Sequence, residues 1–588
     1  MKPQAIIFGI DGKEISHFTE ITLKQAINSH HQFEIHIPHA TVESSLAHTL
    51  ENAQTWLGKV VHIKLSDQNN FLGVITNVKF KQEMGHSGNQ IVVSGYSKTI
   101  LLESGKKLYS WEESTLDEIV KQVIKNAAGE RLQNDINPEY KTKIEYQNQY
   151  LETDFEFIQR LAKQFNEWLF YNGEKLIFGK PKVFDSPVTL IYNKDILKFD
   201  ISVEAVPNKF KAFTYNESVD KRYTANSKDD VAGLPKLGNE AFAASMEVFS
   251  TPAYSHGIVS TGDDVVLETF LKKKQESAAS KTNYVTASTR NSKLKIGTIV
   301  NIQSSVLENS ITSNHDVGSY IITEINHRAT HLGEYENTFT AIPSKVPCLP
   351  EPDIDYPIAQ TQQAIVESNS DPKNKGRIRV QMLWQQSTQM RTGWLRVMTP
   401  DAGSSDNVSN NRGMVFIPEV GDQVMVNFRY GDPNRPFVMG SVFHGISGGG
   451  GGEKNSGKSL KSKTGNNITL NDAMGKGAVL INDAIGNSLT FDGSGNTVAQ
   501  AGDSNVVNVG EGAESHFKMD KDGTIVLKGE KSFKVTVGVS SLELLANGTI
   551  RINGKNFNFI ADNTVAISSP KNHIDGETKF EGGDVIIN

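Results

Sequence analysis

The sequence predicts a mainly β chain in three parts: an α+β N-terminal region over residues 1–350, a small OB-like β-barrel over 356–446, and a fibre-like β region over 461–588. Three observations carry this. Proline crowds PSKVPCLPEPDIDYP, residues 343–357, which suits an extended connector because proline cannot donate a sheet hydrogen bond. Five short apolar runs follow at the spacing of a small barrel. Beyond Lys461 helical periodicity disappears, and short strands alternate with Gly, Asn and Asp.

In the first region, ITLKQAINSHHQFEIHIP, NQIVVSGYS and GSYIITEINHR alternate as half-buried strands do. Two helices interrupt them. Ser114 can cap a segment with Leu116, Ile119, Val120, Val123 and Ile124 on one face, ending near Gly129. Thr153 and Glu156 form a capping box for the second, whose stripe is Phe155, Ile158, Leu161, Ala162 and Phe165. In WLFYNGEKLIFG, Asn172 and Gly173 are expected to supply two positive φ angles between strands 168–171 and 174–178.

The barrel's expected strands are GRIRVQMLW, TGWLRVMTP, GMVFIPEV, GDQVMVNFRYG and RPFVMGSVFHG. Its Trp384, Trp394, Phe416, Phe428 and Phe437 lie in apolar strands and read as core. Nine Lys/Arg against seven Asp/Glu leave 356–446 at only +2, a weak basis for an OB fold that grips nucleic acid. GDPNRP and IPEVGD read as structural turns, with Arg435 free to fix a carboxylate or carbonyl.

Residues 452–459 satisfy the phosphate-loop pattern G-x-x-x-x-G-K-[ST], yet the match begins on the last of five consecutive glycines, 448–452, and a strand-like segment follows it. A working phosphate loop needs a strand before the glycines and a helix starting at Lys458-Ser459. Residues 447–460 are therefore expected to be a glycine-rich linker. The fibre strands GNNITLND, GNSLTFDG, GTIVLKG and GTIRING each carry few apolar residues. One chain folded this way exposes unpaired strand edges, so a cyclic homo-oligomer is expected to close them.

Composition narrows the chemistry. The 588 residues suffice for about four domains. A net charge of −7 argues against nucleic acid or an anionic membrane as the main partner. Cys348 is the single cysteine, which excludes an intrachain disulfide and a cysteine zinc site. The N-terminal apolar run is too short for a secretory signal, which predicts folding in the cytosol.

His30, His31, His36 and His39 suggest a metal cluster, but His36 and His39 point to opposite faces of a strand, and polar strand positions account for them. His315, His327 and His331 are equally ambiguous. His573 could form a threefold ligand set or sit on a surface loop. Asp520 with Asp522, and Glu577 with Glu581, could be hydrolytic pairs, but a fibre offers no cleft and turn positions explain them.

DPKNKGRIRVQMLW, TGWLRVMTPDAG, GMVFIPEVGDQVMVNFRYGDPNRPFVMGSVFHG and GNNITLND closely resemble the VgrG family, the tip proteins of the type VI secretion system. YQNQYLETDFEFIQRLAKQFNEWLFYNGEKLIFGKP resembles the segment by which that family and contractile-phage tail hubs are recognised. The resemblance implies a homotrimer: phage-hub-like N-terminal domains, three OB-like barrels and an intertwined trimeric β-helix needle. It further implies an Hcp-type tube protein, a PAAR-type cap, baseplate proteins and effectors as partners, with transient contact with a target membrane. Assembly in the bacterial cytoplasm without a signal peptide, then secretion or injection, goes with it.

No catalytic residue, cofactor, metal or nucleic acid is expected. Some relatives carry a lysozyme between barrel and needle, or a toxin beyond the needle; here the first place holds the glycine linker and the sequence stops at GGDVIIN. The hub of a phage tail or of an extracellular injection particle has the same parts, and a cell-wall hydrolase is the alternative of another class. The cap is expected on Phe580, Asp584, Val585, Ile586, Ile587 and Asn588, where the last strand presents an end to be covered.

Overall fold

A computed structural model describes residues 6–42, 53–82, 89–257, 264–308, 311–475 and 477–586. They fall into two compact units, Met1–Phe443 and His444–Asn588.

The first unit is organised by one large sheet. Its main path runs Ile196–Val203, Asn283–Thr289, Tyr335–Pro343, Ile311–Thr330, Glu20–Ala26, Gln32–Pro38, Asn89–Ser97, Asn69–Gln82, Val60–Ser66, Ile7–Ile10 and Lys13–Ile15. Ile299–Glu308 joins from the side, pairing with Ile311–Thr330 and, in parallel, with Val188–Ile191. The alternation read from the sequence is realised: Phe33, Ile35 and Ile37 point inward from Gln32–Pro38 while Gln32 and Glu34 face out.

Two apolar cores lie along this sheet. One gathers Phe33, Ile35, Phe71, Ile91 and Val93 with helices α1 (Leu116–Ala127) and α2 (Asp154–Phe165). The other gathers Leu190, Val285, Val300, Ile322, Ile325 and Phe339. Glu20–Ala26 and Ile311–Thr330 pair in the sheet between the two.

Helix α1 begins one residue later than expected. Ser114 is still the end of strand Lys107–Ser114, so Thr115 takes the N-cap, and its backbone N–H donates to Glu118 at 2.8 Å. Helix α2 has the expected reciprocal box: Thr153 N donates to Glu156 at 2.9 Å and Glu156 N to Thr153 Oγ1 at 3.1 Å. The 169–178 hairpin also forms, but only Gly173 has a positive φ, +106°. Asn172 instead accepts the N–H groups of Glu174 and Lys175 with its side chain, an Asx turn.

Of two further helices, α3 (Lys236–Val248) lies against Ile196–Val203 and Asn283–Thr289 of the large sheet, and α4 (Asp264–Ala279) packs on the small sheet of Phe210–Asn216, Lys221–Asn226 and Ala253–His256. Neither has an apolar stripe to announce it. The buried face of α3 is Gly238, Ala241, Phe242 and Ser245, and α4 buries Gln275, Glu276 and Ser277 beside Leu267 and Leu271.

The proline-rich segment is no free connector. Val346, Cys348 and Leu349 are buried, and the chain is tied down as a strap. Pro347 O accepts from Trp168 Nε1 at 3.1 Å, Pro350 O from Asn28 Nδ2 at 2.8 Å, and Ile354 O from Lys163 Nζ at 2.5 Å. Proline gives up a donor but keeps its carbonyl, and three side chains use carbonyls along the strap.

The barrel sheet runs Arg379–Met382, Gln362–Ser368, Gln423–Phe428, Pro436–Ser441. Bridges Ile378↔Leu395 and Val397↔Val438 close it, so TGWLRV serves as the fifth stave without being a regular strand. GMVFIPEV is not a strand, and Phe416 is 56% exposed. A central strand comes instead from QQAIVES, ahead of the five runs read as strands. Of the five aromatics taken as core, only Phe428 is fully buried; Trp384, Trp394 and Phe437 are half-buried.

The second unit folds as three successive antiparallel meanders. The first has five strands from Gly457–Lys461 to Thr497–Gln500, the second three from Ser504–Val509 to Ile525–Gly529, and the third three from Ser532–Val537 to Ile550–Asn553. The first strand therefore starts inside the segment expected to be linker. Beyond Asn553 no regular strand occurs among the described residues, although GGDVIIN reads as strand.

Candidate functional site

In the first unit, the barrel is seated on a ribbon formed by Lys107–Ser114 and Ile144–Glu152. The seat is polar. Gln385 Nε2 reaches Ser110 Oγ at 2.8 Å and Tyr146 Oη at 3.2 Å, while Arg379 and Arg391 converge on Glu112. Asn148 N donates to Asn434 Oδ1 at 2.7 Å, and Asn148 Nδ2 donates to Pro433 O. Tyr150 enters the barrel core against Phe428.

The GDPNRP turn supplies much of this contact. Tyr430 and Gly431 hold φ of +58° and +71°, and Tyr430 stacks on His256 with centroids 4.3 Å apart. Arg435 is buried, 3.2 Å from Asp432, and donates to Gly257 O. The turn was legible as structure; that it grips the hub was not, because the gripping partners lie at least 170 residues away in sequence. Beneath the seat, buried Arg160 pairs with Glu152 at 2.5 Å and donates to Asn148 O.

The DPKNKGR stretch closes on itself. Asp371 takes Arg377 through two hydrogen bonds of 3.0 and 2.8 Å and accepts the N–H groups of Lys373 and Lys375. The guanidinium of Arg377 holds the Asp371 carboxyl well below the usual carboxylate range.

The second unit offers a different kind of surface. Among the described residues from 444 to 586, none is buried. Yet the apolar residues are in register. Leu460, Ile468, Ile481, Leu489 and Ala499 stand in one cross-strand row, with Leu470, Val479 and Phe491 in the row two residues along on the same face. The second meander lines up Val507, Phe517 and Leu527, and the third Val535, Leu542 and Ile552. Each sheet thus has an apolar face and nothing from its own unit to bury it.

Turns between these strands follow one design. Asp483 accepts the N–H groups of Ile485 and Asn487 and the Asn487 amide; Asp492 does the same with Ser494 and Asn496. Gly486 and Gly495 take φ near +100°, which closes both loops. The sequence signal for both is D-x-x-G-N, a pattern within the Gly, Asn and Asp punctuation of this region.

The residues nominated from sequence are not brought together as a catalytic site. Lys458 lies in strand Gly457–Lys461, bonded to Asp472 at 2.6 Å and to Asn455 O; no helix follows it. His30 contacts Thr99 and Glu103, and His36 contacts Gln90 and Glu34. His327 is buried in strand Ile311–Thr330, three residues before its end. Among the described residues no group of three or more His, Cys, Asp or Glu could hold a metal ion. Asp520 pairs with Lys518, Asp522 accepts Thr524 N, and Glu581 contacts Lys579.

Phe580 and Ile586 are 69% and 81% exposed, and Asp584 and Val585 are exposed beside them in irregular chain. Ile587 and Asn588 lie outside the described residues.

Comparison with known proteins meets this geometry. Residues 26–180 match the family described as phage tail baseplate hub (GPD), and residues 362–443 match the type VI secretion system/phage-baseplate injector OB domain. Over 120 residues the chain is 34% identical to the type VI secretion system spike protein VgrG4b of Pseudomonas aeruginosa. In its hub segment and its OB domain the chain is similar to VgrG spike proteins.

A second VgrG, the spike protein VgrG3 of Vibrio cholerae, is 28% identical over 144 residues. These matches cover 19% and 21% of this chain and 14% of each relative. Among solved structures, a lidded Francisella PdpA-VgrG complex covers 89% of this chain and 79% of its own, with a TM-score of 0.51 at 9% identity, a likeness of fold. Among the described residues no helix is long and apolar enough to cross a membrane.

Proposed function

We propose that the chain works as a non-enzymatic homotrimeric spike of a type VI secretion system. One observation carries the reading: three consecutive sheets with in-register apolar faces, in a unit where no described residue is buried. Ordering about 100 residues costs roughly 100–200 kcal/mol of conformational entropy, and burial of apolar surface is the main term that offsets it. Three copies winding their apolar faces onto a common axis supply that burial and close the strand edges together.

The rest of the machine follows from the resemblance to VgrG spike proteins. The hub sits on an Hcp-type tube, meets baseplate proteins, and the needle presents a PAAR-type cap and effectors as it punctures the target membrane. Assembly takes place in the cytoplasm, and the apparatus delivers the finished spike. Phe580, Asp584, Val585 and Ile586, with Ile587 and Asn588, form the cap-binding end. A rod whose backbone hydrogen bonds run between chains resists load through slow unfolding.

Native mass measurement tests the reading. The particle should weigh three times the 64.7 kDa chain, and a PAAR-type protein should add one copy per trimer. A stable monomer with an ordered C-terminal unit overturns it.

A further inference from the structure

The sheet between the two hub cores is bolted by polar groups in an otherwise apolar setting. Asn337 Nδ2 donates to Tyr335 Oη at 2.9 Å, and Tyr335 Oη is 2.7 Å from His327 Nδ1. His327 Nε2 is 3.0 Å from Gln25 Oε1, and Gln25 Nε2 is 3.0 Å from His31 Nδ1. The amide oxygen can only accept and the amide nitrogen only donate, so His327 donates from Nε2 and His31 accepts at Nδ1, which makes the His31 ring neutral. Gln25, His31 and His327 are buried, and the relay crosses the pairing of Glu20–Ala26 with Ile311–Thr330.

We propose that this relay is an acid-released latch: taking up protons at His31 and His327 separates the two hub lobes along that strand pairing. Among the described residues, only two acceptors face the buried His31 ring and its partner, the single oxygen of Gln25 between the two histidines and the Ala26 carbonyl beside His31, and burial outweighs them. A proton on His31 Nδ1 would confront the N–H of Gln25, and His31 Nε2 already lacks a partner. Turning the Gln25 amide to satisfy His31 takes the acceptor from His327. One amide cannot serve two imidazolium rings.

The neighbours reinforce this. His31 faces His30 and His327, each of which opposes a second positive charge, and its ring lies against Phe71 and edge-on to Tyr171. His327 faces Tyr335 and Gln25. Glu103, the carboxylate that His30 contacts, is hydrogen-bonded to His30 and not to His31 or His327. Burial pushes both His31 and His327 down to about 3.

The sign follows. A histidine held neutral in the closed state and free at about 6.5 when opened makes the open state bind more protons, so closure is complete above pH 7 and weakens as pH falls through 6.5. Two such groups raise the opening constant about a thousandfold between pH 7.5 and 5.0. This goes beyond the spike reading and does not depend on it.

Hydrogen exchange on the full chain, corrected for intrinsic rate, tests the latch. Peptides covering 20–26 and 321–329 should lose about a thousandfold of protection at pH 5.0, while the barrel strand Gln362–Ser368 keeps its own. The double variant H31Q/H327Q, which keeps donors and acceptors without a titrating ring, should reduce that change to within about threefold. Protection along the seam that persists to pH 5.0, or loss spread equally over hub and barrel, overturns the proposal. An unchanged acid response in the double variant also overturns it. Should the variant not fold, the wild-type contrast between seam and barrel decides.

Discussion

Hub and needle use the same alternation of apolar and polar residues and reach opposite outcomes. In Gln32–Pro38 every inward residue is sealed by α1, α2 or a facing strand of the same chain. In Asn467–Asn471 the apolar positions Ile468 and Leu470 are in register with Ile481 and Val479, and no residue of that face is buried. Alternation specifies which face of a sheet is apolar; it does not specify whose atoms cover it. The hub encodes a whole core, whereas the C-terminal unit encodes apolar faces that its own described residues leave uncovered.

The sharpest way to break this contrast is a charge on the needle's apolar face. Ile481→Asp places three carboxylates on the shared axis of the proposed trimer, at about 3–5 kcal/mol per copy for an uncompensated buried charge. The expected result in native mass spectrometry is loss of the trimer, with the far-ultraviolet signal of the hub retained. A trimer that survives would show that the apolar rows do not meet on an axis.

A hub substitution should behave differently in kind. Phe157 is fully buried, stacked on Trp111 with centroids 5.2 Å apart and capped by Arg160. Phe157→Ala should cost about 3–5 kcal/mol. Its thermal shift should be independent of protein concentration, whereas any partial needle defect should shift with concentration, as coupled association requires. Equal concentration dependence for both would erase the distinction.

How much of this was legible in the sequence depends on where each contact's partner lies. Capping boxes, hairpins and alternating strands were readable because their determinants sit within a few residues, as with Thr153 and Glu156. The uncovered apolar faces of the C-terminal sheets were legible as well, since sparse apolar strands between Gly and Asn turns cannot close their own edges. Helices α3 and α4 were hidden because Gly238, Ser245, Gln275 and Ser277 occupy positions where a periodicity argument looks for Leu or Ile. That the connector at 343–357 is tethered was not legible, because proline density reports a lack of donors and the tethers there use carbonyls. The GDPNRP grip and the Gln25 relay needed partners from distant sequence, His327 being 302 residues from Gln25.

Between the two extremes lies the barrel seat, which is bonded within one chain but polar. Asn434→Ala removes the acceptor of Asn148 N and leaves a buried donor unpaired, about 1–3 kcal/mol. The expected effect is a lower midpoint for the urea transition reported by Trp384 and Trp394, with trimer mass unchanged. If the mass falls as well, the seat and the needle are coupled, and the division into self-sufficient hub and shared needle is too simple.

The smallest expected effect belongs to Lys458, the lysine of the phosphate-loop pattern. Its ammonium pairs with Asp472 at 2.6 Å, both side chains are about half exposed, and water screens such a pair. Exposed pairs contribute about 0.2–1 kcal/mol. Lys458→Ala should therefore leave trimer mass and melting temperature nearly unchanged, and ATP should not shift the melting temperature of either protein. A nucleotide-dependent shift that disappears in the variant would mean that Gly457–Lys461 gives up its pairing with Asn467–Asn471 to build a phosphate cradle. The register Lys458↔Leu470 through Lys461↔Asn467 argues against that, because the same backbone N–H groups cannot serve both the ladder and a phosphate.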